Sequence, residues 1–218
     1  MEKKELERRA YNFEIRAEKD EERGNYIVGK PVVYEKKTDI GGVFCEVIHK
    51  GALDKADLRD VRFLVNHDLS RIPLARSRRN NEKSTMWLKL EEDGLSIRVY
   101  LDTENNADAR ALYSAVKRGD ITGMSFMFEV SEEKWEGLEK EYPTRHVYGI
   151  STVMEVSAVT FPAYEDTEIS ARDRWALENA KHALDNARQN KPDGLTNIGT
   201  GGDQLELLKA KNKILGGF

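Results

Sequence analysis

A hydroxyl, an imidazole and a carboxylate stand in this chain where apolar side chains would be expected. Ser125 lies inside the run 121–130, Ile-Thr-Gly-Met-Ser-Phe-Met-Phe-Glu-Val. Read as a β-strand, the run separates into two faces because side chains alternate with a period of two. Met124, Phe126, Phe128 and Val130 form an apolar face, and Ile121, Gly123, Ser125, Met127 and Glu129 form the other. One small hydroxyl therefore stands beside a glycine that lets a second backbone approach, which suits a nucleophile. A lone strand serine is more often simply hydrogen-bonded to a neighbour. His67 ends the stretch 61–68 and shares a face with Val61, Phe63 and Val65. A histidine at the end of a strand is held firmly yet can face a cleft, although a lone one is more often a rim residue satisfied by a carbonyl. Glu155 interrupts the apolar stretch 153–161. A carboxylate there is costly to bury without a partner. Arginine, a backbone donor or histidine would serve, and a Glu–His pair would fix the imidazole tautomer and support the imidazolium. Acyl transfer needs a hydroxyl, a base and an orienter from separate elements. Ser125, His67 and Glu155 meet that requirement by type, and pattern alone does not bring them together.

The elements that must position them follow from the same patterning. Alternation at Tyr11, Phe13 and Ile15 predicts a first strand after a charge-rich start. A second, 26–34, is broken or bulged at Gly29-Lys30-Pro31, and a third covers 43–48. Residues 50–58 read as a short helical or turn segment, and 71–83 as a basic, solvated loop. Two alternating runs, 86–90 and 95–101, flank Glu91-Glu92-Asp93-Gly94, a strong hairpin signal. A helix follows, capped by Asp102 or Thr103, with Ala107, Ala111, Leu112, Ala115 and Val116 as its apolar stripe and Gly119 at its end. Residues 132–141 read as a charged loop around Trp135, and 145–150 and 153–161 as separate strands.

The composition excludes several classes. At 218 residues with 39% hydrophobic content, the chain has one domain of ordinary size and an appendage. A charged fraction of 34% and a mean hydropathy of -0.66 require part of it to be solvated. A net charge of -4 gives no footprint for nucleic acid. No apolar run approaches a membrane span, and the opening residues carry no secretory apolar stretch. With Cys45 as the single cysteine, an internal disulfide is excluded and a cytosolic setting expected. The four histidines, His49, His67, His146 and His182, lack metal-ligand spacing, so neither a metal nor another cofactor is expected.

The chain resembles the prohead, or capsid-maturation, serine proteases of tailed bacteriophages, related in fold to the herpesvirus assemblin proteases. The resemblance runs across most of 10–165. It rests on Phe44-Cys45-Glu46-Val47-Ile48 followed by Gly51-Ala52-Leu53, on Val65-Asn66-His67-Asp68, and on Gly94-Leu95. It rests also on Gly123-Met124-Ser125-Phe126-Met127-Phe128 and on the stretch from Glu155 to Ala163. Singly these are weak; in this order they are fairly specific. The family implies an α+β fold, a small, mostly antiparallel barrel with flanking helices, over 1–170. By motif match His67 becomes the general base, Ser125 the nucleophile and Glu155 the third member, where herpesvirus relatives use a second histidine. Asp68 is a poorer orienter, because adjacent residues of an extended chain point apart. Backbone N–H groups or an arginine of 76–79 would supply the oxyanion donors. Pro73-Leu74-Ala75-Arg76 departs from the family, which more often has glycine after the leucine. The resemblance implies an endopeptidase acting inside the assembling prohead, in the host bacterial cytoplasm. Its substrates would be scaffold or the scaffolding region of the major capsid protein, with portal contact and homo-oligomerisation allowed and no nucleic-acid or membrane partner.

Residues 171–218 read as a helical, partly flexible tail. A helix capped by Asp166 or Thr167 runs to Ala187, 197–202 is a linker, and a final helix follows Asp203. The stretch from Arg188 to Asp203 is the best self-cleavage target. Two alternatives stand beside the protease: a catalytically silent capsid-assembly protein of the same fold, and a cysteine hydrolase using Cys45, which as a strand cysteine behaves rather as a small hydrophobe.

Overall fold

The computed structural model describes residues 6–11, 15–160 and 171–190. Eleven strands form two sheets among them. In chain order these are β1 (Leu6–Tyr11), β2 (Ile15–Asp20), β3 (Gly24–Val33), β4 (Thr38–Ile40), β5 (Phe44–Ile48), β6 (Arg62–Val65), β7 (Ala75–Arg76), β8 (Met86–Glu91) and β9 (Gly94–Tyr100). Helix α1 (Ala107–Arg118), strands β10 (Gly123–Glu136) and β11 (Thr144–Val159) and helix α2 (Ala171–Gln189) complete the fold. The larger sheet runs β1-β10-β11-β5-β4, with β6 joined to β11 and β7 to β6. The smaller runs β2-β3-β9-β8 and is antiparallel throughout. The fold is α+β. Among the described residues no ladder joins the two sheets or closes either, so the expected barrel is not seen as a closed one.

The core lies between the sheets. Phe126 and Phe128 of β10 are fully buried, their rings stacked at 4.4 Å, among Ile27, Met86, Leu95, Ile97 and Val99 of the smaller sheet. Burying one such side chain contributes about 1.5–3 kcal/mol. This fixes the facing of β10: with its aromatic face inward, Ser125 must point the other way.

Several elements match the sequence pattern. The bulge expected at Gly29-Lys30-Pro31 appears as a register shift in β3 between Gly29 and Val32. The β8–β9 hairpin turns through Glu92 and Asp93. Gly94 is required there by close approach: an added Cβ would lie 1.9 Å from the Val32 carbonyl oxygen. Gly119 ends α1 in the left-handed region. The cap of α1, however, is Asn106, which accepts from the N–H groups of Asp108 and Ala109. Asp102 instead accepts from the N–H of Asn105 in the preceding turn.

Other elements differ. The single strand expected across 11–15 gives way to the end of β1 and the start of β2, in different sheets. Residues 132–136 belong to β10, and the two strands expected in 145–161 form one, β11. The charges of 132–136 misled because they have cross-strand partners: Glu133 pairs with Arg145, and Trp135 packs edge-on against Phe44 at 4.9 Å. The stretch 71–83 is exposed only in part: it carries β7 and buries Ala75 and Ser77, Arg76 pairs with Asp60 at 2.5 Å, and the Asn80 side chain bonds the Leu88 backbone at both N–H and C=O. Helix α2 buries Ala180 and Leu184 beside Ile40 and Phe44. Its expected cap at 166–167, the linker 197–202 and the final helix lie outside the described residues.

Candidate active site

The site forms where β10, β11 and β6 run side by side. Strands β10 and β11 are antiparallel with Ser125 opposite Ser157 and Met127 opposite Glu155. Directly opposed residues share a sheet face, with Cβ atoms roughly 5 Å apart. Ser125, Met127, Ser157 and Glu155 therefore stand on the face turned away from Phe126 and Phe128. Strand β6 lies parallel to β11 on its other side, with Arg62 beside Glu155 and Leu64 beside Ser157.

His67 comes to this face through a turn. After β6 the backbone enters the left-handed region at Asn66 (φ 53°) and His67 (φ 56°). Each such step costs roughly 1–2 kcal/mol for a residue other than glycine, so something must hold it. The Asn66 N–H donates to the Ala158 carbonyl at 2.9 Å. The Asn66 side chain bonds Thr160 at Oγ1 and at the backbone N–H, both 2.9 Å. The His67 N–H donates to Ser157 Oγ at 3.1 Å.

The imidazole then meets the carboxylate. His67 Nδ1 lies 2.5 Å from Glu155 Oε1, with Glu155 only 1% exposed. The carboxylate accepts, so Nδ1 carries the proton and Nε2 is left as the basic nitrogen. The other oxygen, Oε2, accepts from Ser157 Oγ at 2.5 Å. Ser157 thus bridges carboxylate and backbone, and sequence reading had missed it. The signal was present: Glu155 and Ser157 are two apart on one strand, so they share a face. Asp68 turns into its own loop and accepts from Ser70.

Ser125 is fully buried, and its hydroxyl donates to the Arg9 carbonyl of β1 at 2.8 Å. Its sequence partners are thus brought together as a pair, His67 with Glu155, while Ser125 stands across from Ser157 with its proton directed at β1. That strand is fixed by buried charge. Arg9 bonds Glu46 at 2.6 Å and Glu7 at 2.5 Å, and Arg145 bonds Glu7 at 2.5 Å. Burial works against the Glu7 carboxylate ionising, but Arg145 and Arg9 outweigh it and lower its pKa to about 2. The guanidinium of Arg76 is engaged by Asp60 and that of Arg78 by the Lys83 carbonyl.

Cys45 lies in β5, and burial pushes its thiol pKa up, opposite to what a thiolate nucleophile needs. His49 and His146, far apart in sequence, hydrogen-bond at 2.9 Å near the other end of β11 from Glu155. No group of three or more His, Cys, Asp or Glu among the described residues could hold a metal ion.

The family model for caudovirus prohead serine proteases matches residues 11–182. The chain belongs to this family. It is a family of serine proteases named for the capsid precursor, and the match takes in β2 to β11 and part of α2. Among solved structures, the bacteriophage T4 capsid assembly protease, gp21, is similar at 14% identity over 72% of this chain and 99% of that one, with a TM-score of 0.40. No curated protein matches the chain. No helix among the described residues is long and apolar enough to cross a membrane.

Proposed function

We propose that this chain is a serine endopeptidase of prohead maturation, with Ser125 as nucleophile, His67 as general base and Glu155 as the group that orients His67. The observation that carries the reading is the 2.5 Å contact between His67 Nδ1 and a fully buried Glu155, on the face that also carries Ser125. The reaction requires the Ser125 hydroxyl to leave the Arg9 carbonyl, which rotation about its Cα–Cβ bond allows, and to come to Nε2. Such a step between staggered rotamers is small, and catalytic contacts commonly tighten only when substrate binds. Nε2 takes the hydroxyl proton as Oγ attacks the scissile carbonyl. The imidazolium, held by Glu155, then gives that proton to the departing amine, leaving an acyl-enzyme. Water, deprotonated by the same nitrogen, releases the acid and restores Ser125.

The substrates are scaffold or the scaffolding region of the major capsid protein inside the assembling prohead, with the enzyme's own 188–203 stretch as a further target. Residues 1–170 carry the catalysis, and 171–218 serve as an appendage that docks the enzyme to scaffold or portal.

The second reading, a catalytically silent assembly protein, draws on the buried Ser125 hydroxyl and its bond to Arg9. Co-expression with the neighbouring major capsid protein, followed by mass spectrometry of the fragments, separates the two. Cleavage by wild type and none by Ser125→Ala supports the protease; an intact capsid protein with both favours the silent protein.

A further inference from the structure

The outer face of the smaller sheet is a basic groove of about 850 Å³ on a chain of net charge -4. One row crosses all four strands: Arg16 of β2 faces Val28, Val28 faces Arg98, and Arg98 faces Trp87. Arg23, Lys30 and Lys89 line the same groove, and Glu91 is its one acidic lining residue. Five cations line it against one lining carboxylate, and Asp93 beside it holds Lys30 at 2.5 Å. Glu91 is itself engaged, at 3.4 Å from Lys30 and 3.1 Å from Lys89. The groove lies on the opposite sheet from the serine–histidine face, so the bond-breaking step itself makes no use of it.

The geometry favours carboxylates over nucleic acid. Arg23 lies over Trp87 at 5.0 Å and over Tyr100 at 5.6 Å, and Arg98 over Tyr26 at 5.0 Å. A base needs a free ring face on which to stack, and here guanidinium groups cover these rings. A guanidinium stacked on an aromatic ring is held flat, which presets its N–H fork for a bidentate carboxylate. We propose that this groove is a docking site for an acidic, carboxylate-rich segment of a polypeptide, which holds a substrate protein on the enzyme by a part remote from the bond that is cut. The role as substrate anchor rests on the protease reading, whereas the binding itself does not.

The test measures binding of a fluorescein-labelled oligo-glutamate to the full-length Ser125→Ala protein by fluorescence anisotropy. Saturable binding that weakens with added salt, and that falls at least about ten-fold in Arg16→Glu/Lys89→Glu, is the expected result. Both side chains are exposed, and Arg98→Gln, which removes the charge over Tyr26, gives a second variant whose fold is checked by circular dichroism. No saturable binding, or equal binding by folded variants, overturns the proposal. So does tighter, variant-sensitive binding of oligo-thymidylate, which would make the groove a nucleic-acid site. Because the assay uses an inactive protein, peptide binding without proteolysis by wild type would count against the protease reading alone, and proteolysis without peptide binding against the groove alone.

Discussion

At the scale of single residues, Glu155 has two jobs in one carboxylate. One oxygen sets the His67 tautomer, and the other holds the Ser157 hydroxyl, which in turn accepts from the His67 N–H. Glu155→Gln presents a nitrogen or a neutral oxygen where an anion stood. Turnover is expected to fall by about 10⁴-fold, as when a triad carboxylate is amidated elsewhere, with little change in KM. Near-normal turnover would reduce Glu155 to a structural partner. Ser157→Ala leaves the carboxylate and the His67 N–H each one partner short. Such losses are worth roughly 1–3 kcal/mol, so kcat is expected to drop about ten-fold or more while KM holds. The loss should come with an altered pH profile, and Ser157→Thr, which keeps the hydroxyl, should recover part of it. A stability loss with an unchanged pH profile would assign Ser157 to folding alone. Glu155 was legible in the sequence because a charge in an apolar strand demands a partner. The identity of that partner was not, since it depends on two left-handed residues at 66 and 67 that no pattern announces.

At the scale of elements, β1 is held to β10 by the ladder and by charge. The folded pKa of Glu7, about 2, lies below its ordinary 4.5. A depressed carboxylate contributes stability that is full above about 4.5 and disappears as pH falls through the folded value. The contribution is on the order of 3 kcal/mol. Chemical denaturation should therefore show stability falling steeply between about pH 4.5 and 2. Glu7→Gln should be less stable at neutral pH and flatter across that window; a parallel pH dependence in both would contradict the assignment. The β8–β9 hairpin carries another prediction. Gly94→Ala puts a Cβ into the Val32 carbonyl, and should cost about 2 kcal/mol or more by thermal or denaturant unfolding. The Asp-Gly signal located this hairpin correctly, yet the reason for its glycine lies in β3, which local pattern cannot see. The stretch 132–136 shows the converse. Its charges resemble a loop because their partners, Arg145 above all, come from a strand on the far side of a turn.

At the scale of the whole molecule, two sheets enclose one core and leave two outer faces with different chemistry. One bears the buried hydroxyl, imidazole and carboxylate, and the other the five cations of the groove. Charge counted over the whole chain hid this separation, because a row of cations on one face disappears into a total of -4. The order of motifs from Phe44 to Ala163 was enough to point to the family, whereas the two-sheet pairing emerged only from the ladders. The stretch from Arg188, in the last turn of α2, to Asp203 carries a further expectation. An enzyme confined with its substrate meets its own chain at high effective concentration. Intact-mass measurement under assembly conditions should show wild type cut between Arg188 and Asp203 and Ser125→Ala full length. Trimming of both at the same bond would assign the cut to another protease.

The account turns on whether Ser125 is a nucleophile activated by His67. Intact-mass analysis after treatment with a fluorophosphonate reads this directly, since the reagent bonds only to an activated hydroxyl. Wild type should gain one adduct, mapped by peptide sequencing to Ser125, and both Ser125→Ala and His67→Ala should gain none. An unlabelled wild type under conditions where it cleaves substrate, or an adduct on any other residue, would contradict the account.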